Sequence, residues 1–172
     1  QDVLIKDEAQ RILNTGVRDL WYPVAPSWQV GNAPIGITRL GERLVLWRDG
    51  KGDVHALEDR CPHRGARLSL GWNLGERVAC WYHGIEIDGS GKVCTVPASA
   101  NCPMEGEQRV KNYPVQEHGG AIFCWFGNDP KAERLPETRE AVSQLFLLYG
   151  MGGNPEDLER LAAAAEASSP GA

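Results

Sequence analysis

No run of about eighteen apolar residues interrupts this chain of 172 residues, so no membrane-spanning helix is expected. Its N-terminus shows no signal-peptide pattern either. Basic residues are in deficit: 18 Lys and Arg stand against 23 Asp and Glu, for a formal charge of −5. A basic nucleic-acid face is therefore not expected. The charge is uneven, with −3 on residues 131–172 and −2 on the first 130. Such mild acidity serves solubility first. Histidine is scarce, at four residues. His55 and His118 stand 63 positions apart, and neither has a second histidine at helical spacing. A lone histidine lacks the geometry of a metal site, so both read as ordinary strand or surface residues.

The other two histidines are different. Cys61-Pro62-His63 is followed, after sixteen intervening residues, by Cys80-Trp81-Tyr82-His83. Each short segment offers one thiolate and one imidazole. Two cysteines and two histidines can form a tetrahedral zinc site, but zinc fingers usually pair Cys with Cys and His with His. Mixing both types in each segment suits a cluster whose two irons differ in ligand. Two thiolates on one iron and two imidazoles on the other is the ligand set of a Rieske [2Fe–2S] centre.

Two longer stretches carry a family resemblance. Cys61-Pro-His63-Arg64-Gly65-Ala66-Arg67-Leu68-Ser69-Leu70-Gly71 and Cys80-Trp81-Tyr82-His83-Gly84 resemble the cluster loops of the ring-hydroxylating and demethylating Rieske oxygenases, phthalate and vanillate types above all. The resemblance covers about residues 18–130, from Leu20-Trp21-Tyr22-Pro23-Val24 to the Arg109–Phe126 stretch. It implies that Cys61 and Cys80 bind the inner iron of a [2Fe–2S] cluster and that His63 and His83 bind the outer one. Arg64, Gly65, Trp81, Gly84 and Pro97 are then expected to shape the loops and their backbone donors to sulfur. Trp81 and Tyr82 suit packing as well as docking.

High-potential respiratory Rieske proteins carry an extra, disulfide-forming cysteine in each loop. The matching positions hold Ala66 and the Trp81-Tyr82 pair, and Ile85 stands where a serine often follows the second glycine. With fewer hydrogen bonds to sulfur the oxidised state is favoured, toward the lower end of the roughly −150 to +300 mV Rieske range. The remaining cysteines, Cys94, Cys102 and Cys124, read as reduced, mostly buried thiols of a cytoplasmic protein.

Along the chain, Ile5–Leu13 reads as a short amphipathic helix ended by Gly16. Short strand-like runs follow: from Trp21, at 35–40 and 44–47 as a hairpin across Gly41-Glu42-Arg43, at 54–57, 78–80, 92–96, 110–115 and 121–126. Asp49-Gly-Lys-Gly52 and Asp88-Gly-Ser-Gly91 are strong turn signals. The expected fold is mainly β: an antiparallel sandwich, which the resemblance specifies as the Rieske fold with an inserted cluster-binding subdomain. Three segments result: a helix in 1–16, the Rieske domain in 17–130 with the subdomain at about 59–97, and a helical tail in 131–172. In that tail, 136–149 and the segment opened by Asn154-Pro155 read as helices, and Ser168–Ala172 as a frayed end.

No 2-His-1-carboxylate facial triad for a mononuclear Fe(II) is expected, since only His55 and His118 remain. The expected function is a low-potential electron-transfer domain or component. It would pass electrons from an NAD(P)H-dependent reductase to a mononuclear iron on a partner catalytic oxygenase domain or subunit, in a trimer. No catalytic residue, nucleic acid or membrane partner is expected in this chain. A stand-alone Rieske ferredoxin-type carrier and a structural zinc module are the alternatives.

Overall fold

In a computed structural model, residues 10–12, 15–99, 101–128 and 163 are described. Residues 10–12 and 15 are helical, as is Ala163. The rest of the expected N-terminal helix and of the expected helical tail lies outside the described residues.

Among the described residues, ten strands form three antiparallel sheets. The first contains β1 (Leu20–Pro26), β10 (Ala121–Phe126) and β9 (Val115–His118), in that order. The second runs β2 (Ile35–Arg39), β3 (Glu42–Arg48), β4 (Val54–Glu58). The third is β5 (Trp72–Asn73), β6 (Arg77–Ala79), β7 (Glu86–Asp88), β8 (Val93–Thr95). Pro23 and Pro26 are tolerated in β1 because it is an edge strand, where a missing N–H breaks no central ladder.

The run Leu44-Val45-Leu46-Trp47 shows why β3 sits in the middle. An antiparallel strand with one wet face alternates apolar and polar residues, whereas a strand buried on both faces does not. All four residues are buried, yet they divide: Leu44 and Leu46 join one core, Val45 and Trp47 the other. Strand β4 repeats the division with Ala56 and Leu57. On one side, Val24, Ala25, Ile122, Cys124 and Phe126 of the first sheet pack against the second to close the sandwich. On the other side, Val78, Ile87 and Val93 of the third sheet, with Ile85 just before β7, pack with Cys61 and Cys80. The two thiols are thus part of the interface between subdomain and sandwich.

Polar ties hold the layers in register. Arg48 of β3 makes a two-pronged pair with Glu117 of β9, at 2.8 and 2.9 Å, joining the two sandwich sheets. The Trp47 indole N–H donates to Gly75 O at 2.9 Å, and Asn73 donates to Arg48 O at 2.7 Å, joining sandwich to subdomain.

One expectation needs correction. The hairpin turn is Leu40-Gly41, both at positive φ (49° and 76°), and Glu42 already belongs to β3. Two residues at positive φ match the right-handed twist of the flanking strands. His118, read as a strand or surface residue, is the exposed last residue of β9, paired with Ala121.

Candidate metal centre

Two loops of the same backbone design carry Cys61 and Cys80. In the first, Cys61 N–H donates to Ala66 O at 2.7 Å and Gly65 N–H donates to Cys61 O at 2.9 Å. In the second, Cys80 N–H donates to Ile85 O at 2.8 Å and Gly84 N–H to Cys80 O at 2.9 Å. The fifth residue of each loop must adopt left-handed φ, +73° at Gly65 and +69° at Gly84, where a side chain would be strained. The histidines occupy different steps of these matched loops, the third at His63 and the fourth at His83.

The loops face one another. His63 Nδ1 lies 3.1 Å from His83 Nδ1, with ring centroids 4.8 Å apart. His63 is exposed and His83 half-buried, while Cys61 and Cys80 are buried at 2% and 1% exposure and form no disulfide. Burial, and then the adjacent Cys80 thiol, push the Cys61 thiol up to about 11, against backbone N–H groups of His63 and Arg64 that favour its thiolate. Two thiols lie inside and two imidazoles outside, each pair in mutual contact. Among the described residues, no three His, Cys, Asp or Glu side chains converge on one point.

Surrounding residues hold this arrangement. The buried Asp59 carboxylate accepts from Ser69 N–H and Ser69 Oγ–H, both at 2.7 Å, and so ties the start of the first loop to its far end. Pro97 Cγ stands 3.4 Å from the position a Gly84 Cβ would take, which sets the segment after β8 against the second loop. Tyr82 tilts over His83 with centroids 3.9 Å apart, and Trp81 flanks Tyr82 at 5.4 Å. At 46% and 50% exposure, Trp81 and Tyr82 are surface residues and not core packing. The stacking of Tyr82 on His83 escapes sequence reasoning, because neighbours along a chain do not announce which rings meet.

The two remaining histidines lie apart from the loops. His55 Nε2 bonds Asp49 Oδ2 at 2.9 Å and its ring stacks on Trp47 at 5.0 Å. His118 is exposed at the end of β9.

Residues 20–114, more than half of the chain, match the Rieske [2Fe–2S] domain. The chain belongs to the Rieske [2Fe–2S] domain family, and within it resembles components of Rieske oxygenases. It is 37% identical to the dicamba O-demethylase oxygenase component of Stenotrophomonas maltophilia, over 81% of this chain and 42% of that protein. It is 36% identical to the chloroplastic protein TIC 55 of Arabidopsis thaliana, over 78% of this chain and 26% of that protein. A crystal structure of dicamba monooxygenase with non-heme iron and dicamba superposes at a TM-score of 0.65, with 36% identity, over 73% of this chain and 39% of that one. The chain thus spans less than half the length of these relatives. No helix among the described residues is long and apolar enough to cross a membrane.

The family's cofactor is a Rieske [2Fe–2S] cluster, and the residues present suit one. A buried pair of thiols would supply soft anionic ligands once deprotonated, an outer pair of imidazoles would supply neutral ones, and backbone N–H groups of His63 and Arg64 point at the Cys61 sulfur.

Proposed function

We propose that Cys61 and Cys80 hold one iron of the cluster and that His63 and His83 hold the other through Nδ1. The observation that carries this is the 3.1 Å approach of the two Nδ1 atoms above a pair of buried thiols. A single tetrahedral zinc calls for four donors around one point, and the side chains instead form two pairs. Arg64, Gly65, Trp81, Gly84 and Pro97 serve as loop residues: the glycines permit the left-handed step, Arg64 contributes a backbone N–H to Cys61, and Pro97 abuts the second loop.

When bound, the cluster supplies one-electron chemistry, taking electrons singly from an NAD(P)H-dependent reductase and yielding them to a mononuclear iron. The chain's residues set the conditions. Core packing around Cys61 and Cys80 keeps water from the sulfur side. His63 and His83 use the ring nitrogen that faces the partner histidine, which leaves each Nε2–H for a carboxylate on the acceptor.

The mononuclear iron belongs, on this reading, to another domain or chain, in a trimeric oxygenase. These 172 residues hold four histidines, and the two outside the loops are separated by 63 positions. His55 is engaged with Asp49 and Trp47, so it has no open coordination role. We divide the chain into the Rieske domain, 17–130, with its cluster subdomain at about 59–97, and flanking segments 1–16 and 131–172. Cys94, Cys102 and Cys124, outside the proposed ligand set and without disulfides, support a reducing compartment, which we take to be the cytoplasm.

The test is reconstitution. With NADH and a reductase the chain should be reduced, and a protein carrying the mononuclear iron should reoxidise it. Oxygen-dependent substrate turnover by this polypeptide without another iron protein would overturn the proposal.

A further inference from the structure

Two open cavities meet along the outer wall of the first loop. One, of about 720 Å³, is lined by Arg43, Arg60, Arg64 and Arg67 together with Glu42, Glu58 and Lys111. The other, of about 540 Å³, shares Glu58, Arg60 and Arg64 with it and adds Arg109, Cys61 and His63. They form one groove that ends at a cysteine and a histidine of the metal centre.

The charge in this groove opposes that of the chain. Its five arginines are exposed, and none has an ion-pair or hydrogen-bonded side-chain partner among the described residues. The nearby acids are spent or outnumbered. Glu42 is bound by Lys111 at 2.6 Å and by Arg18 and Tyr113. Asp59 is buried and turned to Ser69. Among the described residues that line the groove, Glu58 alone is left to face five guanidinium groups, in a chain whose net charge is −5. Unpaired like charges on one face repel, so their grouping carries a cost that an anionic ligand would remove.

We propose that this groove is the docking surface for an acidic face of a one-electron donor protein of the iron–sulfur type. The inference rests on the cluster assignment above and adds to it the side from which electrons arrive. Exposed, spread guanidinium groups over two wide cavities suit a protein face bearing several carboxylates, because a small anion would need donors converging in a closed site. One electron leaves the donor's reduced cluster, which is oxidised by one unit, and reduces the cluster held here by one unit; no bond or proton moves. The second loop lines neither cavity. A donor seated in the groove therefore leaves Trp81, Tyr82 and His83 free for the acceptor.

The experiment measures association of the iron-loaded chain with an acidic plant-type [2Fe–2S] ferredoxin by calorimetry and stopped flow. Between roughly 0.01 and 1 M ionic strength the screening length falls from about 30 to about 3 Å. The association rate constant should fall by about tenfold or more over that range. The double variant Arg43→Glu/Arg67→Glu, neither residue a ligand, should lose about tenfold at low salt, and Arg43→Lys/Arg67→Lys should restore most of it. Iron and sulfide content should be the same in all three proteins. Salt-independent association, or equal rates for the charge-reversed protein, overturns the docking surface. So does binding of inorganic phosphate that depends on these arginines while ferredoxin association does not. A chain that holds no cluster contradicts the ligand assignment instead, which separates the two failures.

Discussion

The Tyr82 ring lies over the His83 imidazole with centroids 3.9 Å apart and planes inclined at 36°. One face of a proposed ligand is thereby covered by an aromatic surface that is itself half exposed. Aromatic pairs of this kind contribute about 0.5–1.5 kcal/mol beyond burial, enough to bias a ring's orientation. Tyr82→Leu should keep iron and sulfide while broadening the paramagnetic resonance of the reduced protein; Tyr82→Phe should restore the parent line shape. A spectrum unchanged in the leucine variant would show that the stack does not orient His83.

Replacing the other partner probes ligation directly. His83→Cys should move the outer iron toward a thiolate-rich set, and the potential should fall toward that of plant-type ferredoxins, about −400 mV. Protein-film voltammetry reads this, and an unchanged potential would mean that His83 is not a ligand.

The matched glycines give a stability prediction. Gly65→Ala and Gly84→Ala each place a side chain at left-handed φ, costing roughly 1–2 kcal/mol. Each new Cβ would meet a neighbour at 3.4 Å, the Arg60 guanidinium at Gly65 and Pro97 Cγ at Gly84; Gly84→Ala should be the worse, since the exposed Arg60 side chain can swing away and the proline ring cannot. Urea unfolding of the two variants settles the order.

Glu42 predicts an acid limit. Burial by itself would raise its carboxyl, but hydrogen bonds from Lys111, Tyr113 and Arg18 outweigh it and hold the group below its ordinary 4.5. A folded value below the unfolded one means that the carboxylate's contribution is complete above about pH 4.5 and drains away as pH falls through the lowered value. Glu42→Gln should cost about 1.5–3 kcal/mol at neutral pH, as charge-assisted bonds do. The deficit should shrink as the pH of the denaturation series is lowered through that window. A deficit that stays constant with pH would contradict the role given to Glu42.

Much of this was legible in the sequence, for identifiable reasons. The runs at 35–40 and 44–47 announced a hairpin, and the Gly-rich turns at 49–52 and 88–91 marked the ends of β3 and β7. The four proposed ligands were legible because Cys-x-His and Cys-x₂-His are short-range patterns whose chemistry survives any detail of folding. What was not legible is long-range. The pairing of β1 with β10 joins Leu20 to Phe126, and no local signal specifies it. The two-residue strand β5 is too short to show a period. The arginine groove draws on Arg43, the 60–67 segment and Arg109, which only the packing of the first loop against β3 and the stretch before β9 brings together.

The central claim is that Cys61, His63, Cys80 and His83 hold a mixed-ligand [2Fe–2S] cluster. Metal and sulfide analysis combined with paramagnetic resonance of the reduced, purified chain tests it most directly. The expected result is a red-brown protein with two irons and two sulfides per chain and the low average g value of a mixed nitrogen–sulfur cluster. A colourless protein carrying one equivalent of zinc and no sulfide would contradict it.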